Sequence, residues 1–328
     1  MKKINRMKIY DKISFKKYFY DGLMPYEKPN SFYYRQNFEI RMGIPEDLSH
    51  SYKYNSKGFR SDEFKNIGEV HDGKHILFAG CSETEGVGNK LENIWANILY
   101  KKISEEEKCS GFFSIGSKGF SIDLIFDQFL SYVEKYGKPD VLFINFPDVF
   151  KFYVWDERIQ AWISQMGVET MAAFNMFDKT YLKDLKHSIE NKDSILLKDI
   201  MDENIKKISA SVNKGYFLPE LMSEEKYADS VINGFRYLHL MEKLCRVLEV
   251  ELFWGTWDRY TSTSIENSEL FKNYTNIGNA KDFYKWADKN GYTVKDIVAR
   301  ENFHGGIACH NYWAEKLFTA YKNKKNKK

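Results

Sequence analysis

The apolar positions of this chain switch repeatedly between two periods. His75-Ile76-Leu77-Phe78-Ala79-Gly80 is a short apolar run closed by glycine, the pattern of a strand buried on both faces. Leu91, Ile94, Trp95, Ile98 and Leu99 then recur at the spacing of one helix face, with Asn89 and Glu92 as a capping pair at its start. The alternation repeats with a strand over 111–116, and then a helix striped by Ile122, Ile125, Phe126, Phe129, Leu130 and Val133 that stops near Gly137 and Pro139. A third strand follows over 140–146. Further on, Val231, Phe235, Leu238 and Cys245 lie on a long helix that leads into a strand over 250–254, and Trp313, Leu317 and Tyr321 mark a closing helix.

Strands alternating with helices imply crossover connections, a parallel sheet and helices on both of its faces: a three-layer α/β fold. Ligands of such sheets sit beyond the carboxyl ends of the strands, so the loops after Gly80, Gly116 and Phe146 define the expected site. Residues 71–150 and 225–328 carry the alternation. Residues 1–70, rich in Tyr, Phe and Lys, read as an N-terminal extension packed on the core. Residues 151–224 are too long for a simple connection and read as a helical insertion forming a lid or substrate wall.

Composition narrows the function. With 328 residues, 43% hydrophobic and 29% charged, the chain can bury one large core. A net charge of +3, from 49 basic and 46 acidic residues, leaves no electrostatic footprint for nucleic acid. Cys81, Cys109, Cys245 and Cys309 lie far apart without a C-x-x-C pair, as expected of reduced thiols. No apolar segment follows the basic N-terminus, and no apolar stretch reaches the length of a membrane span. A cytoplasmic protein with no membrane partner is expected.

The segment richest in chemistry is Gly80-Cys81-Ser82-Glu83-Thr84-Glu85-Gly86, between a strand and a helix. It places a hydroxyl at the carboxyl end of a buried strand, where backbone N–H groups converge. Taken alone, Ser82 is as well explained as a helix cap. The segment resembles the first block, G-D-S-x-T-x-G, of the SGNH/GDSL hydrolases, with Cys81 at the aspartate position. Asn55-Ser56-Lys57-Gly58-Phe59-Arg60 resembles the N-S-x-G-F-R segment that precedes the nucleophile strand in many bacterial and phage members. Ser114-Ile115-Gly116-Ser117-Lys118-Gly119-Phe120-Ser121 is similar to the second block, N-x-G-x-x-G-x-S. Glu301-Asn302-Phe303-His304 is similar to the last block, D-x-x-H. The resemblance covers about residues 55–150 and 225–322.

The resemblance implies a flavodoxin-like sandwich with a parallel five-stranded sheet and an acyl-enzyme mechanism. It implies Ser82 as nucleophile, His304 as general base, preferred over His310, and Glu301 as the carboxylate orienting the base. The oxyanion donors would be the N–H groups of Ser82 and Gly119, with Gly116 as a nearby alternative. The third block, G-x-N-D in the family, is Asn145-Phe146-Pro147-Asp148 here, so Pro147 stands where the family has its asparagine donor, and Asn145 is the substitute. One lost donor lowers turnover by on the order of 100- to 1,000-fold. Thr84, Trp254 and Trp257 are the candidate substrate contacts; the tryptophans suit either sugar stacking or the core, as do Trp155 and Trp162 at the start of the insertion.

The implied substrate is an O-acyl group on a carbohydrate or small ester, with no metal and no cofactor. Two alternatives stay open. One is acyl transfer by the same chemistry. The other is a non-catalytic binding or structural protein that keeps the fold, with a virion association in view of the phage-like blocks. The oligomeric state is not legible in the sequence.

Overall fold

A computed structural model describes residues 23, 30–33, 51–69, 71–147, 149, 152–156, 161–165, 224–266, 268, 270–297, 299 and 304–327. Its elements run β1 (Phe32–Tyr33), β2 (Tyr52–Lys53), β3 (Ile76–Gly80), α1 (Ser82–Glu85), a 3-10 turn (Leu91–Asn93), α2 (Trp95–Ser104), β4 (Phe113–Ser114), α3 (Ile122–Tyr136) and β5 (Val141–Phe146). They continue with β6 (Phe152–Asp156), β7 (Ala161–Gln165), α4 (Glu224–Val247), β8 (Glu251–Thr256), α5 (Arg259–Glu266), α6 (Ala280–Lys289), α7 (Val294–Ile297) and α8 (Ile307–Lys325).

Strands β4, β3, β5 and β8 form, in that order, one parallel sheet. Successive side chains point to opposite faces, and both faces are covered. Leu77, Ala79, Leu142, Ile144, Leu252 and Trp254 pack with Ile125 and Phe129 of α3 and Leu238 and Met241 of α4. Ile76, Phe78, Val141, Phe143 and Phe253 pack with Trp95 and Leu99 of α2 and Tyr312 and Leu317 of α8. Burial on both faces explains why these strands read as unbroken apolar runs. The chain leaves β3 for β4 on one side and returns to β5 on the other, so the strand order reverses between β3 and β5. A crevice opens beyond the carboxyl ends of two such strands. There, Gly80 pairs in register with Asn145, and Asn145 with Gly255.

The sheet has four strands among the described residues, and the fifth strand that the resemblance implies is not among them. Two expectations are corrected. The stretch read as a helical insertion opens with an antiparallel hairpin, β6 paired with β7 and Trp155 opposite Trp162. Phe152-Tyr-Val-Trp-Asp and Ala161-Trp-Ile-Ser-Gln are rich in aromatic and β-branched residues, which favour a pleated pair over a helix. The rest of that insertion, 166–223, lies outside the described residues. Finally, Asn89 and Glu92 do not cap α2. Asn89 is buried and its amide is used elsewhere, while the Trp95 N–H at the start of α2 donates to His310 Nδ1 at 3.1 Å, 215 residues away.

Ahead of β3, Tyr52, Tyr54, Phe59 and Phe64 are buried, and Phe64 meets Tyr132 of α3 edge-on at 5.2 Å. Among the described residues, no helix is long and apolar enough to cross a membrane.

His75, at the entry to β3, gives the fold an acid-sensitive point. Its ring is buried, stacks on His71 at 3.9 Å, and its Nε2 lies 2.9 Å from the Tyr132 hydroxyl. Burial first, and the neighbouring His71 second, push its pKa down to about 4. The unfolded chain holds that proton up to about pH 6.5 and so binds more protons than the folded one across the interval between. Stability is therefore full above about pH 6.5 and falls as pH drops towards 4, by on the order of 3 kcal/mol from this group. Urea midpoints taken from pH 7.5 to 4.5 are expected to show that slope. A His75→Phe variant is expected to lose this group's share of it.

Candidate active site

Ser82 is the first residue of α1, directly after β3, and is half-buried. The turn forms because Gly80 has φ +152, a conformation L side chains rarely adopt. A Cβ at Gly80 would also stand 2.0 Å from Thr84 Oγ1 and 2.6 Å from the Asn145 carbonyl oxygen. The N–H groups of Gly86 and Val87 donate back to the Ser82 carbonyl. The Ser82 N–H, at the open end of the helix, has no acceptor among the described residues. The Ser82 hydroxyl has Cys81 Sγ at 3.9 Å as its polar partner, not an imidazole.

Two buried glutamates of α1 connect this turn to the two other loops of the edge. Glu83 Oε1 accepts the Gly305 N–H at 3.1 Å, so the residue after Ser82 holds the residue after His304. Asn89 reinforces that link by donating its amide to the Gly305 carbonyl at 2.9 Å. Glu85 Oε2 accepts the Lys118 N–H at 2.6 Å, while Glu85 Oε1 accepts the Tyr54 hydroxyl at 2.8 Å. The Ser117 N–H also donates to the Gly80 carbonyl at 3.2 Å, which lays the 116–121 loop, with Gly119 at φ +88, alongside the Ser82 turn.

Arg60 supports the turn from beneath. Its guanidinium is 2% exposed, lies 4.5 Å over the Tyr52 ring and donates to the carbonyls of Glu85, Gly86, Asn89 and Ser51 at 2.9–3.2 Å. Asn55 builds the approach, accepting the Lys57 and Phe59 N–H groups at 3.0 Å. Arg60→Ala would leave the Glu85, Asn89 and Ser51 carbonyls without their donor and remove one of two from Gly86, and hydrogen bonds to a charged group are worth more than neutral ones. A loss of roughly 3–5 kcal/mol in urea unfolding is expected. Arg60→Lys should restore only part of it, because a point ammonium cannot span the same four oxygens.

Asn145 is the most unusual polar group of the edge. It is fully buried, and neither its amide nitrogen nor its amide oxygen has a hydrogen-bond partner. Buried unpartnered amides cost about 1–3 kcal/mol and are rare, so each calls for an explanation. Alternation along β5 puts Asn145 on the same face as Phe143, the face covered by α2 and α8. Helix α8 begins just after His304, so the Asn145 side chain and the His304 loop share one face of the sheet at one end.

His310, weighed against His304 from the sequence, is structural. It is fully buried, and burial, followed by the charges of His304 and Arg60, pushes its pKa down to about 3. Because its Nδ1 accepts the Trp95 N–H, its proton resides on Nε2, which faces Glu83 Oε2 at 3.6 Å. His304 itself is partly exposed. Glu301 lies outside the described residues.

The expected substrate contacts are largely corrected. Thr84 is fully buried, bonded to the Ala79 carbonyl at 3.4 Å and packed where a Gly116 side chain would stand, so it presents nothing to a ligand. Trp254 is a core residue: its Nε1 donates to Glu242 at 2.8 Å and its ring packs edge-on against Phe146 and Phe271. Its place on β8 carries it to the same face as Leu252 and away from the site. Trp257, just past the end of β8, is half-buried. The connecting roles of Glu83, Glu85 and Asn89 are not legible in the sequence, since nothing local says which distant loop a buried carboxylate or amide will hold.

No family model matches the chain, and no curated protein matches it in sequence. The fold and the site define the class: an α/β protein with a parallel four-stranded sheet and a serine-bearing strand–turn–helix at the point where strand order reverses.

Proposed function

We propose that the chain is a serine ester hydrolase of the SGNH/GDSL type, removing O-acyl groups from a carbohydrate or a small ester through an acyl-enzyme on Ser82. The observation that carries this reading is the unpartnered Asn145 amide, on the residue paired in register with Gly80, where β3 gives way to Cys81-Ser82. A donor without a partner in the free protein, next to a serine whose own N–H is open, suits an oxyanion that arrives only with substrate. The Glu83–Gly305 hydrogen bond, which brings the residues following Ser82 and His304 together, supports His304 as the base. Glu301 would orient that base. Water resolves the acyl-enzyme in a hydrolase; a sugar hydroxyl doing so would make the same site a transferase.

One observation favours the non-catalytic alternative: the Ser82 hydroxyl has no imidazole partner. Catalytic hydrogen bonds are often long in the absence of substrate and tighten when it binds. Turnover of p-nitrophenyl acetate and of a panel of acetylated sugars decides between the two. Activity in the unsubstituted protein that disappears in Ser82→Ala supports the hydrolase. Turnover equal in both proteins, or absent from both, contradicts it.

A further inference from the structure

A second concavity lies at the opposite edge of the sheet from Ser82, where β8 begins. It is a groove of about 330 Å3 between the last turns of α4, the 270–273 loop and the end of α8. That volume falls in the range of small-molecule sites. Cys245, Val250 and Leu252 give it an apolar floor, and cations reach it from three separate elements: Lys243 and Arg246 from α4, Lys272 from the loop and Lys324 from α8.

What sets these charges apart is their convergence on one groove from three elements. At the same end of the molecule, Lys138 pairs with Glu249 at 3.5 Å and Lys322 with Glu106 at 2.5 Å, whereas Lys243, Arg246 and Lys272 have no ion pair among the described residues. Lys324 is held at the rim by Glu251 at 3.7 Å. The carboxylate within the groove, Glu242, is already engaged. It accepts the Trp254 Nε1–H at 2.8 Å, the Asn273 N–H at 2.9 Å and the Asn273 side-chain amide at 3.2 Å, and so fixes the wall rather than neutralising the cations. His239, one turn before Lys243, lines the groove with a ring nitrogen, Nδ1, that is shielded from solvent and has no partner. The negative end of the α4 dipole accounts for a cation such as Arg246 in its last turn, but not for Lys272 and Lys324 arriving from other elements.

We infer that this groove binds a small phosphorylated molecule with an apolar body, such as a nucleoside diphosphate. Three unpaired cations, with Lys324 shared with Glu251 at the rim, exceed what a single carboxylate ligand would balance. Arg246 offers the planar fork that takes two phosphate oxygens at once, with the lysines as point charges around it. The apolar floor suits the organic body. The site is independent of the ester chemistry proposed for Ser82.

Calorimetric titration of the full chain at low salt with adenosine diphosphate, inorganic phosphate and adenosine tests this. Adenosine diphosphate is expected to bind at one site, more tightly than either fragment, and more weakly as salt rises. Arg246→Ala and Lys272→Ala are each expected to lower its affinity at least tenfold. Lys285→Ala, an exposed lysine on α6, should leave it unchanged. All three side chains are exposed, so the fold is not at risk. No binding of adenosine diphosphate, or a loss in Lys285→Ala equal to that in Arg246→Ala, would overturn the inference.

Discussion

His304→Ala is expected to reduce ester turnover by about 10^4- to 10^6-fold, and Ser82→Ala to reduce it by as much. The double variant should be no worse than the worse single one, because a nucleophile and its base act as a unit. The structure adds a control. His310 lies six residues further along the same segment but is enclosed, neutral and bonded to the α2 backbone. His310→Ala should therefore act mainly on stability, by exposing the Trp95 N–H to a cavity, and lower turnover only through loss of folded protein. Stopped-flow turnover corrected for the folded fraction separates the two histidines. A His304→Ala protein that keeps within tenfold of full activity would remove the base assignment.

The second large effect concerns Asn145. If its amide is an oxyanion donor, Asn145→Ala should lower kcat by about 100- to 1,000-fold with little change in KM. Stability should move the other way, or hardly at all. In the free protein both amide atoms are buried without partners, so alanine removes a desolvation cost of about 1–3 kcal/mol while creating only a small cavity. Lost turnover with retained or increased stability marks a functional residue held at the expense of the fold. A variant that is both active and less stable would show the amide to be ordinary packing. The same comparison tests whether Asn145 makes up for Pro147, which has no N–H to offer.

The sequence-legible parts are those in which one physical signal dominates. Strands β3 and β5 are apolar on both sides because both of their faces are covered, and α3 shows its stripe because one side of it meets solvent. Gly80-Cys81-Ser82 was readable because a strand–turn–helix junction is local. Helix α6 was not foreseen. Its apolar residues Phe283 and Trp286 fall within only ten residues, although Asn279, which accepts the Asp282 N–H at 3.2 Å, is a cap that could have been read. The connecting roles of Arg60, Glu83 and Glu85 were not readable at all. Each depends on at least one contact 25 to 222 residues away, and a buried charge resembles an exposed one until the fold encloses it. Trp254 is hard to place from sequence for the same reason: position near a strand end does not say which face a ring takes, and here the face leads to Glu242 and the core.

The claim that Ser82 is an activated nucleophile is tested most directly by a fluorophosphonate probe, with intact mass and peptide mapping of the folded protein. A single adduct on Ser82, absent from Ser82→Ala and strongly slowed in His304→Ala, is the predicted result. A folded protein that stays unlabelled, or one labelled equally well in Ser82→Ala, would contradict it.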